Sequence, residues 1–412
     1  MYIIGAGVSG LIAAYNLEKK GVSPIIIEST DRVGGRLKTD FIDGFQLDHG
    51  FQVLLSSYSA AKKYLDYNGL QLQKLKSGAC IFSNGKRIFF GDLLKDRSIM
   101  FSTIFSNIGS LLDKIKIAKL NFMLQNKSVE DIFEDEEIST IDYLNKIGFS
   151  ENIINHFFFP FFNGIFLENE LKTSSRMFEF VFKMFGDGHA VLPKSGIEEI
   201  PKQLKSKLKN TEFIFNTKVL SVQKKEIYLS NGKKLKSDFT IIATEPNHLI
   251  SNLKNQHLDW KSCQTLYFST PNRIYKKPYI GLIADKESLI NNIFYPTSIN
   301  SENRNDQELI SVTVIKKHNL SENELVSKIN KELKVICNID KAKFLKIYNI
   351  PKALPKLENL QNDISPTETK LKDGIYLSGD VLLNSSLNAA IIAGERAAQG
   401  VLEEMGKTKV LA

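Results

Sequence analysis

The first twenty-one residues, MYIIGAGVSGLIAAYNLEKKG, place a glycine-rich turn between a short apolar run and a helix-like segment. Residues 2–4 can form a buried strand, and 11–17 have the composition of a helix. Between them Gly5, Gly7 and Gly10 have the G-x-G-x-x-G spacing. In that spacing the first glycine permits a tight turn, the second lets the backbone approach a pyrophosphate, and the third lets helix pack on strand. This feature predicts a nucleotide site at a helix N-terminus.

A second apolar run, 23–27, ends at Glu28, which lies 18 residues beyond Gly10. A carboxylate at the end of the second strand can accept hydrogen bonds from the ribose hydroxyls of an adenosine. The opening segment therefore predicts a complete βαβ unit for a nucleotide that contains adenosine.

Two further glycine elements follow in STDRVGGRLKTDFIDGFQLDHGFQVL. Gly34-Gly35-Arg36 suits close backbone approach to a phosphate and charge pairing with it. Gly50-Phe51-Gln52 follows a strand-like run. Two ordinary β-turns in a hairpin are the structural alternative. Downstream, residues 59–76 are expected to be helical, and 78–92 to form two strands joined by a turn at Ser83-Asn84-Gly85.

Residues 93–185 are expected to be mostly helical and are unusually aromatic. HFFFPFFNGIF at 156–166 and FEFVFKMF at 178–185 contain most of the phenylalanines of this segment. A packed aromatic core is the structural interpretation. The functional alternative is that some rings line an apolar substrate tunnel or meet a membrane. Phe161, Phe162 and Phe166 are the candidate substrate contacts.

Strand character returns after residue 192, where a turn and an amphipathic helix precede runs at 213–215, 218–224 and 226–229 and the buried segment FTIIATEP. This return indicates that the nucleotide-binding domain is discontinuous. The last segment, GIYLSGDVLLNSSLNAAIIAGERAAQGVL, predicts a strand at 375–377, a turn at Gly379-Asp380 and a helix at 387–402. The small residues of that helix allow close packing.

Composition limits the classes of partner. The 412 residues carry a formal net charge of +8, but the lysines are dispersed rather than clustered, so no nucleic-acid partner is expected. Cys80, Cys263 and Cys337 show no metal-ligand spacing and favour a reducing compartment. Because the first strand starts at residue 2, no targeting peptide and a cytoplasmic location are expected. Without a long apolar run, any membrane contact would be peripheral.

Four motifs in the right order resemble the flavin-containing amine oxidoreductase superfamily, which includes amine oxidases, protoporphyrinogen oxidase, phytoene desaturases and carotenoid isomerases. They are GAGVSGL with Glu28, DRVGGRLKT, KVLSV followed by IIATEP, and YLSGD followed by SLNAAIIAGERAA. The resemblance implies an α/β fold with a discontinuous Rossmann-type FAD-binding domain and an inserted α+β substrate domain. The expected boundaries are 1–65, 190–250 and 365–412 for the FAD domain, and 66–189 and 251–364 for the substrate domain.

The resemblance also implies the residues that contact FAD. Those expected near the pyrophosphate and adenosine are Gly5, Gly7, Val8, Ser9, Gly10, Glu28, Ser29, Val219 and Thr244. Those expected along the ribityl chain and flavin ring are Gly34, Gly35, Arg36, Leu37, Gly50, Phe51, Gln52, Gly379, Asp380, Leu387, Asn388 and Ala389. A helix N-terminus aimed at the pyrimidine end of the ring would favour an anionic reduced flavin.

Departures from the family bear on the substrate. No cysteine lies near the last helix, so FAD is expected to be non-covalent. The aromatic cage of amine oxidases is missing, and Trp260 is the only tryptophan. The run HFFFPFFNGIFLENELKTSSRMFEF, followed by LPKSGIEEIPKQL, resembles the desaturase and protoporphyrinogen oxidase members more closely. This resemblance implies an isoprenoid-like or tetrapyrrole-like apolar substrate rather than an amine. The sequence identifies no catalytic base and no oligomeric state.

Several polar residues could have catalytic or substrate-binding roles, and each also has a structural interpretation. His49 could shuttle protons, although a loop histidine with a backbone partner is favoured. His156 and His189 flank the aromatic segment, and Arg176 could face a substrate carboxylate or a structural acid. The acidic run 134–137 lacks metal-ligand spacing, so no metal is expected.

The leading hypothesis is an FAD-dependent oxidoreductase that moves hydride from a C–C or C–N bond of an apolar substrate to flavin N5. One alternative is an FAD-dependent isomerase without net redox change. Another is a non-catalytic binding protein of the same fold, although the motifs that serve FAD argue against it. A nicotinamide dehydrogenase would leave the C-terminal motif unexplained.

Overall fold

The structure is a computed structural model that describes residues 1–83, 85–91, 100–104, 106–250, 253, 258–299 and 307–406, with backbone alone for Met100 and Phe101. Asn84 of the predicted turn and parts of the predicted segments 93–185, 251–364 and 365–412 lie outside the described residues.

A six-stranded sheet forms the centre of the part that carries the glycine-rich turn. Its strands are β1 (Tyr2–Ile4), β2 (Ile25–Ile27), β10 (Glu212–Ile214), β14 (Thr240–Ile242), β20 (Lys370–Lys372) and β21 (Ile375–Leu377). Their order is β10–β2–β1–β14–β21–β20, and all pairs are parallel except β20 with β21. The short apolar strands suit a sheet covered on both faces.

Helices cover one face of this sheet, and a small antiparallel sheet covers the other. The helices are α1 (Val8–Glu18), α2 (Ser59–Tyr64), α10 (Glu199–Ser206) and α12 (Leu387–Glu404). The small sheet contains β11 (Val219–Gln223), β12 (Glu226–Leu229) and β13 (Lys234–Lys236), and its apolar side packs on Ile4, Ile27 and Ile242. The predicted close packing of the last helix is confirmed, since a Cβ at Gly394 would lie 2.4 Å from the Ser9 carbonyl oxygen.

A seven-stranded sheet forms the second large sheet of the molecule. Its strands are β7 (Gly78–Ser83), β8 (Lys86–Gly91), β15 (Trp260–Thr270), β16 (Ile280–Ile283), β17 (Ile290–Phe294), β18 (Glu308–Val314) and β19 (Lys343–Pro355). The order is β19–β15–β18–β17–β16–β7–β8, with only β16 and β7 parallel. Helix α11 (Glu322–Cys337) covers one face through Leu325, Ile329 and Leu333. The other face turns toward the part that contains the six-stranded sheet.

A helical layer closes the molecule above that face. It contains α3 (Met100–Ile104), α4 (Leu111–Gln125), α5 (Val129–Glu134), α6 (Thr140–Ile147), α7 (Glu151–Ile153), α8 (Phe159–Phe166) and α9 (Ser175–Asp187), with a π-helical turn at Ile154–Phe158. Serine side chains cap several of these helices, as at Ser110, whose hydroxyl accepts from the Asp113 N–H. The remaining short strands are β3 (Thr39–Ile42), β4 (Phe45–Asp48), β5 (Leu54–Leu55), β6 (Gln73–Lys74) and β9 (Ala190–Leu192).

The predicted fold class is confirmed, but one predicted helix is wrong in its length. The helix expected over 59–76 ends at Tyr64, and Gln73–Lys74 pairs with β9 as a strand. The Asp66 carboxylate accepts a hydrogen bond from the Asn68 N–H, and this local bond competes with helix continuation. The strands of the six-stranded sheet come from separated stretches, as a discontinuous domain requires; the exact domain boundaries stay a prediction. No described helix is long and apolar enough to cross a membrane.

Candidate functional site

A cleft of about 1790 Å³ runs between the six-stranded sheet, the seven-stranded sheet and helices α8 and α9. One part, here called the nucleotide end, is formed by 5, 7–9, 28–30, 34–38 and 378–380 at the carboxyl ends of the parallel strands. That is where open parallel sheets bind ligands. The other part, here called the apolar end, is lined by Phe161, Ile165, Phe166, Met177, Val181, Phe185 and Ile280.

The glycine turn has the geometry that its spacing predicts. Gly5 has a φ of +102°, and a Cβ there would lie 2.9 Å from the Ala243 carbonyl oxygen. A Cβ at Gly10 would lie 2.1 Å from the Gly5 carbonyl oxygen, so Gly10 lets α1 pack against the strand. Gly7 is different, because a Cβ there would meet no protein atom within 4 Å. Gly7 is also the N-cap of α1 and offers no capping side chain, so the first N–H groups of the helix face the cleft.

Glu28 lies at the end of β2 with its carboxylate already oriented. Its Oε2 accepts from the Ala6 N–H at 2.8 Å, and its Oε1 accepts from the N–H and hydroxyl of Thr30 at 2.9 and 3.0 Å and from the Ser29 hydroxyl at 3.2 Å. These bonds hold an acceptor group at the wall of the nucleotide end.

The element Gly34-Gly35-Arg36 contacts both the first glycine turn and the turn at Gly379-Asp380, which lies far away in the sequence. Gly34 forms an isolated bridge with Gly7, and Arg36 Nη2 donates to Asp380 Oδ1 at 2.5 Å. The Arg36 guanidinium also lies 5.6 Å from the centre of the Trp260 ring. Residues 344 positions apart are thus joined at one site.

The loop after β4 connects the two ends of the cleft. Gly50 has a φ of +97°, Phe51 packs its ring 5.0 Å from that of Phe294, and Gln52 donates to the carbonyl oxygens of Arg36 and His49. The His49 ring is paired with the Asp40 carboxylate at 2.8 Å and stacks on Tyr348. The backbone partner expected for this ring is therefore replaced by a carboxylate.

Ionisable groups near this loop have shifted pKa values. Arg32, His49 and Tyr348 surround Asp40 and hold the pKa of its carboxyl well below the usual range, against the opposing effect of burial. Burial raises the pKa of Asp48 to about 6, despite donation from the Thr39 hydroxyl and the Ile197 N–H.

The N-terminus of α12 opens on the cleft through Ser386 and Leu387. Asn388 and Ala389 do not line it: the Asn388 Oδ1 accepts from the Ala60 N–H, and the Ala389 N–H donates to the capping hydroxyl of Ser386. Among the residues expected around FAD, Gly10, Asn388 and Ala389 thus act in the supporting packing. The others line the cleft: Gly5, Gly7, Val8, Ser9, Glu28, Ser29, Gly34, Gly35, Arg36, Leu37, Gly50, Phe51, Gln52, Val219, Thr244, Gly379, Asp380 and Leu387.

The three candidate phenylalanines divide between cleft and core. Phe161 and Phe166 line the apolar end. Phe162 is fully buried and packs on Phe158 and Phe178, so its ring belongs to the core rather than to the cleft wall. The helical repeat separates Phe161 from Phe162, because adjacent positions on α8 point in different directions. Phe166 lies one turn after Phe162, with its ring 5.4 Å from that of Phe162, and borders the cleft at the C-terminal end of α8 although it is almost fully buried.

The structure adds cleft residues that the sequence reasoning did not select. Trp260 donates from Nε1 to Glu245 at 3.0 Å, and Lys261 donates to the Thr173 hydroxyl at 3.0 Å with Glu168 3.6 Å away. Burial lowers the pKa of Lys261. These residues begin strand β15, and no local motif marks them. Only the tertiary pairing of β15 with β19 brings them to the cleft.

Other tempting residues have structural partners. His156 bonds the Asn152 carbonyl oxygen, and Arg176 donates to the Asp135 carbonyl oxygen and lies 3.7 Å from Glu137. Cys263 lines the cleft, but burial raises its pKa to about 11. Within the described residues no group of three His, Cys, Asp or Glu side chains could hold a metal ion.

Comparison with known proteins decides the family. The family model for flavin containing amine oxidoreductase matches residues 8–402. The chain belongs to this family. The expected resemblance is confirmed, and the cofactor of the family is FAD, as the sequence predicted. The expectation of an FAD-dependent oxidoreductase is confirmed at this family level.

The relatives that match parts of this chain are named as oxidases of different substrates. The chain is 28% identical over 168 residues to protoporphyrinogen oxidase 2 of Arabidopsis thaliana. The aligned region covers 39% of this chain and 31% of that protein. It is 35% identical over 103 residues to an L-amino acid oxidase of Cerastes cerastes, covering 24% and 20%. The chain thus matches less than a third of the length of either relative. Cyclohexylamine oxidase of Brevibacterium oxydans has the same fold, with a TM-score of 0.71, 12% identity and coverage of 98% and 99%.

Proposed function

We propose that the protein is an FAD-dependent oxidoreductase that removes hydride from a C–C or C–N bond of an apolar substrate. The observation that carries the proposal is one continuous cleft with a glycine-built nucleotide end and an aromatic apolar end. Its volume of about 1790 Å³ exceeds the roughly 300–1,000 Å³ of a pocket for one drug-sized ligand, which leaves room for a second molecule.

The residues at the nucleotide end fit FAD. The space at Gly7 that a Cβ would fill, and the uncapped N-terminus of α1, suit a pyrophosphate. Glu28 offers carboxylate oxygens to ribose hydroxyls, and Arg36 with Asp380 would hold the middle of the cofactor. When FAD is bound, the N5 atom of its ring supplies a hydride acceptor. We propose non-covalent binding, since no cysteine lies in or near α12.

The apolar end supports an isoprenoid-like or tetrapyrrole-like substrate over an amine. Phe161 and Phe166 supply flat apolar surfaces that exclude water and align a C–H bond. Lys261 and Glu168 form an ion pair at the cleft wall, and the Lys261 Nζ donates a hydrogen bond to Thr173 Oγ1.

The test is the visible absorption spectrum of the purified protein, followed by anaerobic addition of isoprenoid, tetrapyrrole and amine substrates. We expect flavin bands that move to the supernatant after acid precipitation, and bleaching by an apolar substrate. Bleaching by amines alone would contradict the substrate class. Conversion of an isoprenoid to an isomer without bleaching would favour the isomerase alternative.

We also propose a peripheral membrane contact through α4. Leu111, Leu112, Ile115 and Phe122 are 66%, 68%, 56% and 70% exposed and lie on one side of this helix. The helix also carries three lysines, and exposed apolar side chains together with lysines favour attachment to an anionic lipid surface. Helix α9, which α4 packs against, lines the apolar end, so an apolar substrate would be delivered near its site.

Vesicle flotation tests this contact. Leu112→Glu should release the protein from phosphatidylserine vesicles, whereas Val335→Glu, at an equally exposed position on α11, should not. Equal flotation of both variants would contradict the assignment to α4.

A further inference from the structure

Three neighbouring strands of the seven-stranded sheet carry buried oxygen atoms without a hydrogen-bond partner. Thr265 of β15 is opposite Thr313 of β18, and Thr313 is opposite Asn292 of β17. Their exposed fractions are 0%, 4% and 3%. Within the described part of the chain, Oγ1 of both threonines and Oδ1 of Asn292 accept or donate no hydrogen bond. Such atoms are rare in folded proteins because desolvation without a partner costs free energy.

Neighbouring polar groups fix the orientation of Asn292. Its Nδ2 donates to the Asn291 Oδ1 at 2.8 Å, and Asn291 in turn donates to the Pro160 carbonyl oxygen at 3.2 Å. Because the amide nitrogen is engaged, the carbonyl oxygen of the Asn292 side chain is the atom left over.

Two of these three residues line the cleft. Asn292 and Thr313 lie in its wall with Phe161 and Ile280, whereas Thr265 does not. Helix α8 crosses close to this point, since a Cβ at Gly164 would lie 3.1 Å from the Asn292 Nδ2. The unpartnered pair therefore belongs to the apolar end, away from the nucleotide end.

The chemistry of the pair selects its ligand. Side chains at opposed positions of adjacent strands are about 4.5–5.5 Å apart at Cβ, so one small group can reach both. Asn292 Oδ1 can only accept a hydrogen bond, while Thr313 Oγ1 can donate one. A hydroxyl donates and accepts at one atom, whereas an ether or ketone oxygen only accepts. For an ammonium group, three carboxylates of the cleft are already paired with cations: Glu168 with Lys261, Glu137 with Arg176 and Glu245 with Lys352.

We propose that Asn292 and Thr313 bind a hydroxyl group of the substrate. The proposal rests on the proposed function of the cleft and sharpens it: the substrate is an apolar molecule that carries a hydroxyl group. The pair determines specificity and takes no part in the hydride step.

The test uses two isomeric probes, 1-octanol and 1-methoxyheptane, which differ in the presence of a donor hydrogen. Calorimetric titration of the FAD-loaded protein should show about tenfold tighter binding of the alcohol. Thr313→Val and Asn292→Leu should each reduce this preference to twofold or less, with unchanged flavin content. Thr265→Val removes the same group one strand away from the cleft and should keep the preference.

Protein that holds FAD but binds both isomers equally, or binds neither, contradicts the proposal and leaves the cofactor assignment standing. A preference that survives both Thr313→Val and Asn292→Leu, or that Thr265→Val also removes, contradicts it too. If the protein never binds FAD, the proposed function is contradicted instead. The same titration of the flavin-free protein then tests whether Asn292 and Thr313 prefer the alcohol.

Discussion

The two ends of the cleft are built from different parts of the polypeptide. At the nucleotide end the backbone forms the surface: the missing Cβ atoms of Gly5 and Gly10 let the turn and the helix pack closely, and that of Gly7 leaves open space in the cleft. At the apolar end the side chains form the surface, and rings such as Phe161 and Phe166 come from a helix that packs on a distant sheet. The comparison teaches that the first end depends on local conformation and the second on long-range packing.

The largest expected effect separates core rings from cleft rings on α8. Phe162→Ala leaves a cavity in the core and should lower the free energy of unfolding by about 3–5 kcal/mol. Phe161→Ala, at a half-buried cleft position, should cost about 1 kcal/mol and mainly weaken binding of apolar ligands. Denaturant unfolding of both variants measures the difference. Equal losses would show that the two rings have the same role.

The second prediction concerns the nucleotide end. Gly10→Ala places a methyl group 2.1 Å from the Gly5 carbonyl oxygen, so helix and strand must separate. We expect a loss of about 3 kcal/mol in the free energy of unfolding, together with loss of flavin. An alanine variant as stable as wild type would contradict the close approach of α1 to β1.

Sequence reasoning predicted the geometry of the glycine turn and the position of Glu28 because the determinants of both are local. The spacing of Gly5, Gly7 and Gly10 specifies a turn, and Glu28 follows at the end of the next strand. The apolar end was predicted only in outline. Whether Phe161 or Phe162 faces the cleft depends on the rotation of α8, and Asn292 and Thr313 meet only through strand pairing. Neither is encoded in a short motif.

A smaller effect should appear at the end of β4, next to the loop that joins the two ends of the cleft. Burial raises the pKa of Asp48 to about 6, above its ordinary value of 3.8, so ionisation disfavours the folded state. Stability from this group is present below pH 4 and is lost as the pH rises through 6. Asp48→Asn keeps an acceptor oxygen for Thr39 and removes the charge.

We therefore expect Asp48→Asn to be more stable than wild type by about 2 kcal/mol at pH 8 and equal to it at pH 4. Thermal unfolding of both proteins from pH 4 to 8 measures this difference. A constant difference across that range would mean that Asp48 titrates normally.

The most direct test of the central claim, that the glycine-built end holds non-covalent FAD, is the flavin content of Gly7→Ala. Gly7 has an ordinary φ of −71° and open space beside it. The flavin-free variant should therefore unfold at the same temperature as flavin-free wild type. The added methyl group would occupy the space proposed for the pyrophosphate, and flavin affinity should fall at least about a hundredfold. A variant that unfolds like wild type and also retains flavin like wild type would contradict the account.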